Sequence, residues 1–420
     1  MSDHAADTLV QPDPTGTKLP SSLRRLFFVA PLAASAAPLA YAITAFFMAI
    51  QVQLFDAETK VENLALINTL SAVAAMLAQP IFGVLSDRTR SRWGARHPWM
   101  LIGTAIGTVA LVSAGFATNM AMLTVCVMLV QFGYNAWQGP FSALLPDRVP
   151  ERFRGRYSTG VGLGTLLGAV LGPILASPFA QRIPLGYVSL AGVVILLILL
   201  FIAVVPGTDN RGEPRKPFSL TTFLSAFWVN PIRHPDFFWG FTGRLLLFGG
   251  FYMISNFSLY IAQDYVGLSL EEATSIVPLL GLVGLPGLII ATAVAGPLSD
   301  RLGRRKPLVL ISGLLIAVGA AIPFVLPSVL GLALQTIVVT IGFGAFAAVD
   351  QALMASVLPN PEDFGKDLGV LNLAATLPGT VAPVAASAIV VAVGYPPLFL
   401  IVGGIGVLGA LAVLPIRSVR

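Results

Sequence analysis

The chain has 420 residues, of which 56% are hydrophobic and 11% charged, and its formal net charge is +5 at pH 7. A mean hydropathy of +0.83 on this length excludes an ordinary soluble domain, in which about 25% of residues are charged, and also a disordered chain and a secreted disulfide scaffold. The single cysteine, Cys126, can form no internal disulfide, and the three histidines, His4, His97 and His234, lie outside the apolar runs, which argues against a histidine-built metal or haem site in a membrane.

Twelve apolar segments dominate the chain, and each is long enough to cross a bilayer as a helix, which takes about 20 residues. Backbone amides in lipid must pair internally, so the sequence predicts an all-α membrane protein, and the runs are too long and uniformly apolar for a barrel. A polar tail, Met1 to Ser22, precedes the first segment, which is therefore expected to be a span and not a cleaved signal peptide. The predicted spans, helices 1 to 12, are 27–54, 62–85, 99–118, 120–145, 157–180, 186–206, 237–262, 273–299, 307–326, 328–357, 368–392 and 396–416.

The basic residues set the predicted orientation, because Lys and Arg concentrate in the cytoplasmic loops of membrane proteins. If both termini are cytoplasmic, all 25 Lys and Arg residues except Lys60, Arg182 and Arg244 fall on the cytoplasmic side. We call this side inner and the opposite side outer. The basic residues recur in short clusters between spans and not in one patch, so we expect a bilayer and not nucleic acid as the partner. The sequence predicts a multi-pass protein of the cell (inner) membrane with both termini cytoplasmic.

The chain also repeats itself. Segment 83–88, GVLSDR, matches segment 296–301, GPLSDR, at an offset of 213 residues, and Gln138 and Gln351 are separated by the same offset. Both copies follow an even-numbered helix, so the repeat is parallel, six helices plus six. The predicted organisation is a cytoplasmic tail 1–26, a first bundle 27–206, a cytoplasmic linker 207–235 and a second bundle with a short tail 236–420. Apolar residues at 218–228 indicate a short helix on the membrane interface, and a loosely structured linker is the alternative.

The loops after helices 2 and 8 carry a family resemblance. They read GVLSDRTRSRWGARHPW at 83–99 and GPLSDRLGRRKPL at 296–308. The pair resembles the cytoplasmic signature of the major facilitator superfamily of secondary transporters, and the two arginine-rich stretches resemble the sucrose/proton symporters and the related glycoside-pentoside-hexuronide branch. Ala95 departs from that branch, which has an arginine there. The resemblance implies two pseudo-symmetric six-helix bundles, the major facilitator fold, working by alternating access without a cofactor.

Charged residues of these loops are candidates for a cytoplasmic gate. An aspartate at a helix end can pair with a nearby arginine, and such pairs would latch the inner ends of the two bundles and break as the bundles rock apart. The alternative is that the charges only enforce topology. The gate candidates are Asp87, Arg88, Arg92, Arg96, Asp300, Arg301, Arg304 and Arg305.

Polar side chains recur at helical spacing in helices 1, 4, 7 and 10, whereas helix 12 has no strongly polar side chain. In the resembled superfamily helices 1, 4, 7 and 10 line the central cavity and helices 3, 6, 9 and 12 face lipid. Amides and phenols in a cavity would hydrogen-bond an uncharged polar solute, and hydrogen bonding between helices is the alternative. The substrate-binding candidates are Tyr41, Gln51, Gln131, Tyr134, Asn135, Gln138, Tyr252, Asn256, Tyr260 and Gln351.

Arg244 and Asp350 are charged residues within predicted spans, and inserting a charge near mid-membrane costs about 2.5–3.5 kcal/mol of free energy. Each lies about eight residues, or roughly 12 Å, from the cytoplasmic end of its helix, so equal depth predicts an ion pair. A carboxylate that alternates between pairing with Arg244 and holding a proton would couple transport to the proton gradient. Alternatively, Arg244 extends to the headgroups and Asp350 faces cytoplasmic water. Asp264, near the outer end of helix 7, is a further candidate.

Helix 5 carries glycines at spacing four, from Gly160 to Gly172, which predicts close helix packing. The stretch GAVLGPILA at 168–176 also partly resembles the antiporter signature of drug-exporting facilitators. The leading interpretation is a proton-coupled symporter of a sugar or glycoside, and the alternative is a proton antiporter that exports amphipathic compounds. We expect a monomer that binds a small-molecule substrate and protons, with no metal and no cofactor. The sequence has no metal-ligand spacing, no nucleophile–base pair and no phosphate loop, so no enzyme is predicted.

Overall fold

The computed structural model describes residues 21–212, 233–357 and 364–417, and these residues form twelve long helices with short connections. Each of the twelve predicted spans has a matching helix, although helix 7 is interrupted before its predicted end. Residues 21–26, predicted to belong to the tail, are part of the first helix, while the tail 1–20 and the predicted interfacial helix 218–228 lie outside the described residues. The helices are α1 (Ser21–Phe55), α2 (Lys60–Arg88), α3 (His97–Gly115), α4 (Met120–Ser142), α5 (Glu151–Ala176), α6 (Ile183–Val204), α7 (Pro235–Ser255), α8 (Leu270–Leu302), α9 (Lys306–Val325), α10 (Val329–Val357), α11 (Phe364–Val393) and α12 (Tyr395–Leu411).

Short polar and proline motifs set the helix ends. Helix α8 begins with a capping box, in which Ser269 Oγ accepts from the Glu272 amide at 3.3 Å and the Glu272 carboxylate accepts from the Ser269 amide at 2.9 Å. It ends at Gly303, whose φ of 57° suits a glycine. Helices α3, α6, α9 and α12 each have a proline in the first turn, where the missing N–H costs no helical hydrogen bond. These helices occupy equivalent positions in the two repeats.

The second six helices pack in the same pairs as the first six. In the first bundle α1 packs on α5 and α6, α3 on α4 and α6, and α2 on α4. In the second bundle α7 packs on α11 and α12, α9 on α10 and α12, and α8 on α10. A shift of six helices converts one set into the other, so the fold is two pseudo-symmetric six-helix bundles. Between the bundles α2 contacts α11 and α5 contacts α8, and the same shift relates these two contacts.

The glycines of α5 lie against the backbone of α1, as the spacing predicts. A Cβ added at Gly164 would lie 1.9 Å from the Pro31 carbonyl oxygen, and one at Gly168 would lie 2.3 Å from the Ser35 carbonyl oxygen. Only residues without a side chain allow the two helices to approach this closely. Helix α1 is in turn largely buried, with Ile43 and Phe47 fully enclosed, and it forms the centre of the first bundle.

Helix 7 departs from its prediction as one continuous span over 237–262. Helix α7 ends at Ser255, and after a break at Asn256 and Phe257 the chain forms one short turn, Ser258–Tyr260, followed by a π-helical turn, Ile261–Tyr265. The break is stabilised by contacts far apart in sequence, because the Tyr260 hydroxyl donates to the Ala49 carbonyl of α1 at 2.9 Å. Isolated π turns are frequent at functional sites.

Helices 3, 6, 9 and 12 present apolar side chains to the outside of the molecule. Val109 of α3, Leu196 of α6, Val318 of α9 and Leu408 of α12 are between 58% and 67% exposed. Large exposed apolar surfaces mark contact with another apolar phase. Ten of the described helices are long and apolar enough to cross a membrane, and two shorter apolar stretches, Leu377–Val393 within α11 and Tyr395–Leu411 of α12, complete the set. The outer surface is therefore suited to lipid.

Candidate functional site

Polar residues of α1 and α4 form one half of the candidate site. The Tyr41 ring packs edge-on against the Tyr134 ring, with centroids 6.3 Å apart. The Tyr134 hydroxyl lies 3.2 Å from Thr108 Oγ1, and Asn135 Nδ2 donates to the Gln131 carbonyl at 2.8 Å. The Tyr41 hydroxyl is buried without a hydrogen-bond partner among the described residues. Such a group carries a penalty of about 1–3 kcal/mol, which a solute hydroxyl would relieve.

Gln51, Gln138 and Tyr260 differ in position from this group. Gln51 Nε2 donates to the Ala114 carbonyl at 2.8 Å, and its Oε1 accepts from the Tyr187 hydroxyl at 3.1 Å, so it joins α1 to α3 and α6 as the helix-contact alternative predicts. Tyr260 contacts α1 at the outer end of the molecule. Gln138 is half-buried on α4. The side chain of Gln351 lies outside the described residues, although its backbone belongs to α10.

Arg244 of α7 and Asp350 of α10 lie together, as equal depth predicts. Arg244 Nε is 3.4 Å from Asp350 Oδ2, and the two side chains are 11% and 3% exposed. This distance is longer than the roughly 2.7–2.9 Å of a strong charged hydrogen bond, and Asp350 Oδ1 has no hydrogen-bond partner among the described residues. The pair is therefore buried but loosely held, with one carboxylate oxygen unoccupied by a donor.

Aromatic rings close the outer side of this ion pair. Phe251 of α7 stacks on Phe343 of α10 with centroids 4.2 Å apart, and Phe248 packs edge-on against the same ring at 5.2 Å. The Arg244 guanidinium carbon lies 5.5 Å from the Phe248 centroid. Tyr252 joins this aromatic cluster through Phe248 and Phe251, and Asn256 donates to the Tyr252 carbonyl. Sequence reasoning missed the phenylalanines because they carry no polar signal, although their spacing on α7 and α10 places them on the faces of Arg244 and Asp350.

A small cavity, with room for about one water molecule, lies on the inner side of the ion pair, within the second bundle. Arg244 forms part of its wall, and Trp239, Phe346 and apolar side chains of α9, of α10 and of the residues after α12 form most of the rest. Gly240, Gly243 and Gly409 line it as well. The ion pair thus lies between closed aromatic packing on the outer side and this small cavity on the inner side.

The predicted gate residue Arg96 holds the inner end of one bundle together. Its guanidinium pairs with Asp87 at the end of α2 and, at 3.0 Å, with Asp147 after α4, and it donates to Ser86 Oγ at 2.7 Å. These contacts lie within the first bundle, and the Asp87 side chain is 61% exposed. Arg88, Arg92, Arg301 and Arg304 are exposed, Arg305 is half-buried, and the side chain of Asp300 lies outside the described residues. A latch between the bundles stays a prediction.

We expect Arg96→Gln to lower the stability of the protein by about 1 kcal/mol, because it removes two ion pairs that are partly open to water. Arg92→Gln changes an exposed arginine of the same loop and serves as the matched control. The measurement is the apparent Tm of the detergent-purified protein, with the wild type alongside. Equal Tm values for the two variants would contradict the role assigned to Arg96.

The first residues after α6 pack beneath the loop that joins α2 to α3, a contact that sequence reasoning did not find. Asn210 is 7% exposed; its Nδ2 donates to the Thr89 carbonyl at 3.0 Å and its Oδ1 accepts from the Ser91 amide at 2.9 Å. A Cβ at Gly207 would lie 1.8 Å from the Trp93 carbonyl oxygen. Beside it, hydrogen bonds from Arg211 lower the pKa of Asp209 from its usual value. We call residues 205–212 the docked segment.

The described residues contain no group of three or more His, Cys, Asp or Glu side chains suited to a metal ion. What the site offers is a set of hydrogen-bonding groups in the first bundle and a buried, titratable ion pair in the second. Both halves lie on helices 1, 4, 7 and 10 of the repeat.

Comparison with known proteins gives the family. The sequence profile of the Major Facilitator Superfamily matches residues 32–295 and 285–420. A sucrose transport protein of rice (Oryza sativa subsp. japonica) is 29% identical over 97 residues, which are 18% of this chain and 18% of that protein. A general alpha-glucoside permease of fission yeast (Schizosaccharomyces pombe) is 36% identical over 69 residues, 16% of this chain and 12% of the permease.

The fold comparison agrees. The crystal structure of a mutant of the nucleoside transporter NupG superposes with a TM-score of 0.72 at 14% identity, covering 93% of this chain and 100% of that one. The match to the family profile extends over both bundles, and the fold superposes on that of the solved transporter over nearly the whole chain. The chain belongs to the major facilitator superfamily of membrane transporters.

Proposed function

We propose that the protein is a secondary transporter that carries a sugar or glycoside together with protons by alternating access. The observation that carries this proposal is the buried Arg244–Asp350 pair, enclosed by aromatic rings on one side and bordered by a cavity on the other. The short matches to proteins named as a sucrose transporter and an alpha-glucoside permease support a sugar as the solute. The basic loops support an inner-membrane location with both termini cytoplasmic, and we propose a monomer.

The ion pair supplies a mechanism for coupling. When Asp350 takes up a proton it loses its attraction to Arg244, and the guanidinium can shift toward the small cavity lined by Gly240 and Gly243. When Arg244 returns, its positive charge favours the ionised carboxylate and expels the proton. Because the cavity lies on the inner side of the pair, this release is directed to the cytoplasm. A proton therefore enters with the solute and leaves on the inner side.

The polar groups of the first bundle supply the contacts to the solute. Tyr41, Gln131, Tyr134 and Asn135 present phenols and amides on α1 and α4, and these groups match the donors and acceptors of sugar hydroxyls. The aromatic cluster of the second bundle offers flat apolar faces to the less polar side of a sugar ring. A wide aromatic wall also suits amphipathic compounds, and this is the observation that favours the second candidate, a proton-coupled exporter.

The direct test is uptake of labelled disaccharides into proteoliposomes with and without an imposed pH difference. A symporter accumulates the sugar when the outside is acidic, and accumulation collapses when a protonophore is added. An exporter instead extrudes dye-like cations under the opposite gradient. No proton-dependent movement of either class of solute would reject both candidates.

We expect Tyr41→Phe to raise the KM for the transported sugar about tenfold, since one hydrogen bond to a solute hydroxyl is lost. The Tm should stay the same or rise, because the Tyr41 hydroxyl has no protein partner to lose among the described residues. Tyr187→Phe is the matched control: its hydroxyl bonds Gln51, so this change should lower the Tm and leave the KM unchanged. An unchanged KM with a lowered Tm for Tyr41→Phe would show that Tyr41 is not in the binding site.

A further inference from the structure

Four polar residues connect the two bundles at the outer end of the molecule. Lys60, the first residue of α2, places its Nζ 2.7 Å from Asp264 Oδ1 in the π-helical turn. Asp264 Oδ2 accepts from the hydroxyl of Tyr395, the first residue of α12, at 3.0 Å. The Lys60 ammonium also lies 4.8 Å from the centroid of the Tyr260 ring, whose hydroxyl donates to α1. We call Lys60, Tyr260, Asp264 and Tyr395 the outer cluster.

The outer cluster differs from the ion pairs at the inner end. Lys60 belongs to the first bundle and its three neighbours belong to the second, so the contact crosses between the bundles. At the inner end, by contrast, Arg96 pairs with Asp87 and Asp147 of its own bundle. The bundles are thus held together at the outer end in this conformation.

The opposite charges of Lys60 and Asp264 neutralise each other only while the outer ends of the two bundles are in contact. The Lys60 side chain is 13% exposed and that of Asp264 is 32% exposed, so moving the bundles apart would separate the two neutralised charges and return them to water. Both oxygens of Asp264 already have a donor, one from Lys60 and one from Tyr395. Because both of its oxygens are bonded, Asp264 is suited to holding the outer end closed, and Asp350 remains the candidate for proton coupling.

We propose that Lys60 and Asp264 form the outer gate of the transporter, and that Tyr395 is a positioning residue that orients Asp264 toward Lys60. The proposal rests on the alternating access described under the proposed function. The π-helical turn contributes by placing Asp264 at the interface, since residues within it follow a different angular spacing from those of α7. Opening to the outside then requires the ion pair to break.

The test measures the distance between spin labels placed on the two bundles near the outer end. Labels at Glu58→Cys and Glu271→Cys, both exposed positions, are attached in a Cys126→Ala background that removes the native thiol. In the wild-type background we expect mostly short distances. Asp264→Asn and Lys60→Gln should each raise the ratio of long-distance to short-distance populations about fivefold or more, as for the loss of one coupled pair. Tyr395→Phe should shift it in the same direction by less.

The matched controls change exposed charges at the same end, Glu62→Gln on α2 and Arg182→Gln before α6, and should leave the distances unchanged. The charge exchange Lys60→Asp with Asp264→Lys should restore the short distance, which also shows that the chain still folds. Unchanged distances in both single variants, or no restoration by the exchange, would overturn the gate. The measurement needs neither sugar nor a pH gradient. A negative result would therefore reject the gate without bearing on the proposed transport of sugar.

Discussion

In an Asp350→Asn variant, a pH gradient should no longer drive sugar accumulation above the external concentration, while exchange of labelled for unlabelled sugar across the membrane continues. The amide keeps the size of the side chain but cannot exchange a proton, so the proposed step that links proton movement to the motion of Arg244 is lost. Accumulation and exchange are measured in the same proteoliposomes. Asp209→Asn, an exposed carboxylate outside the spans, is the matched control and should accumulate sugar normally.

Further variants separate coupling from folding. Arg244→Gln leaves Asp350 buried without its partner, and breaking one side of a buried ion pair costs about 3–5 kcal/mol, so this variant should be poorly stable. Arg244→Leu combined with Asp350→Leu removes both charges and should recover much of that stability, yet accumulate no sugar. Wild-type accumulation by Asp350→Asn would show that another group carries the proton.

Gly164→Ala should lower the stability of the protein by about 3 kcal/mol, the upper end of the usual cost of overpacking, and the yield of monodisperse protein should fall with it. The new methyl group would lie 1.9 Å from the Pro31 carbonyl oxygen, and because that atom is backbone, α1 and α5 must separate. Gly168→Ala, at 2.3 Å from the Ser35 carbonyl oxygen, should behave in the same way. Thermal unfolding in detergent gives the Tm for each variant.

Gly162→Ala provides the matched control on the same helix, since a Cβ there meets nothing within 4 Å. This variant should be as stable as the wild type or slightly more so, because alanine favours a helix over glycine. If Gly162→Ala and Gly164→Ala lose the same stability, the close contact with α1 is not what holds α5 in place.

The sequence predicts the twelve helices and the bundle repeat because both depend on local hydropathy and on spacing along the chain. It also predicts the Arg244–Asp350 contact, since equal depth on two helices is a one-dimensional property. The break after α7 cannot be predicted from hydropathy or spacing. It depends on Tyr260 reaching Ala49, which is 211 residues away, and no local pattern encodes that contact.

The candidate site illustrates a second limit, which is helix rotation. Tyr41 and Gln51 are both substrate-binding candidates on helix 1, yet a separation of ten residues, at about 100° each, brings Gln51 about 80° away from Tyr41 around the helix. Gln51 therefore contacts α3 and α6, while Tyr41 packs on α4. The sequence does not predict the Lys60–Asp264 pair either, because the two residues lie in different bundles and their contact depends on how the bundles pack.

The docked segment has a practical consequence for dissecting the molecule. Because Gly207 and Asn210 fit against the loop after α2, the chain up to Gly212 belongs mechanically to the first bundle, and the tether between the halves starts after it. A split transporter, expressed as two separate fragments, should therefore be divided after Gly212. Division directly after α6 would remove the docked segment from the first fragment and leave the loop between α2 and α3 without its packing partner.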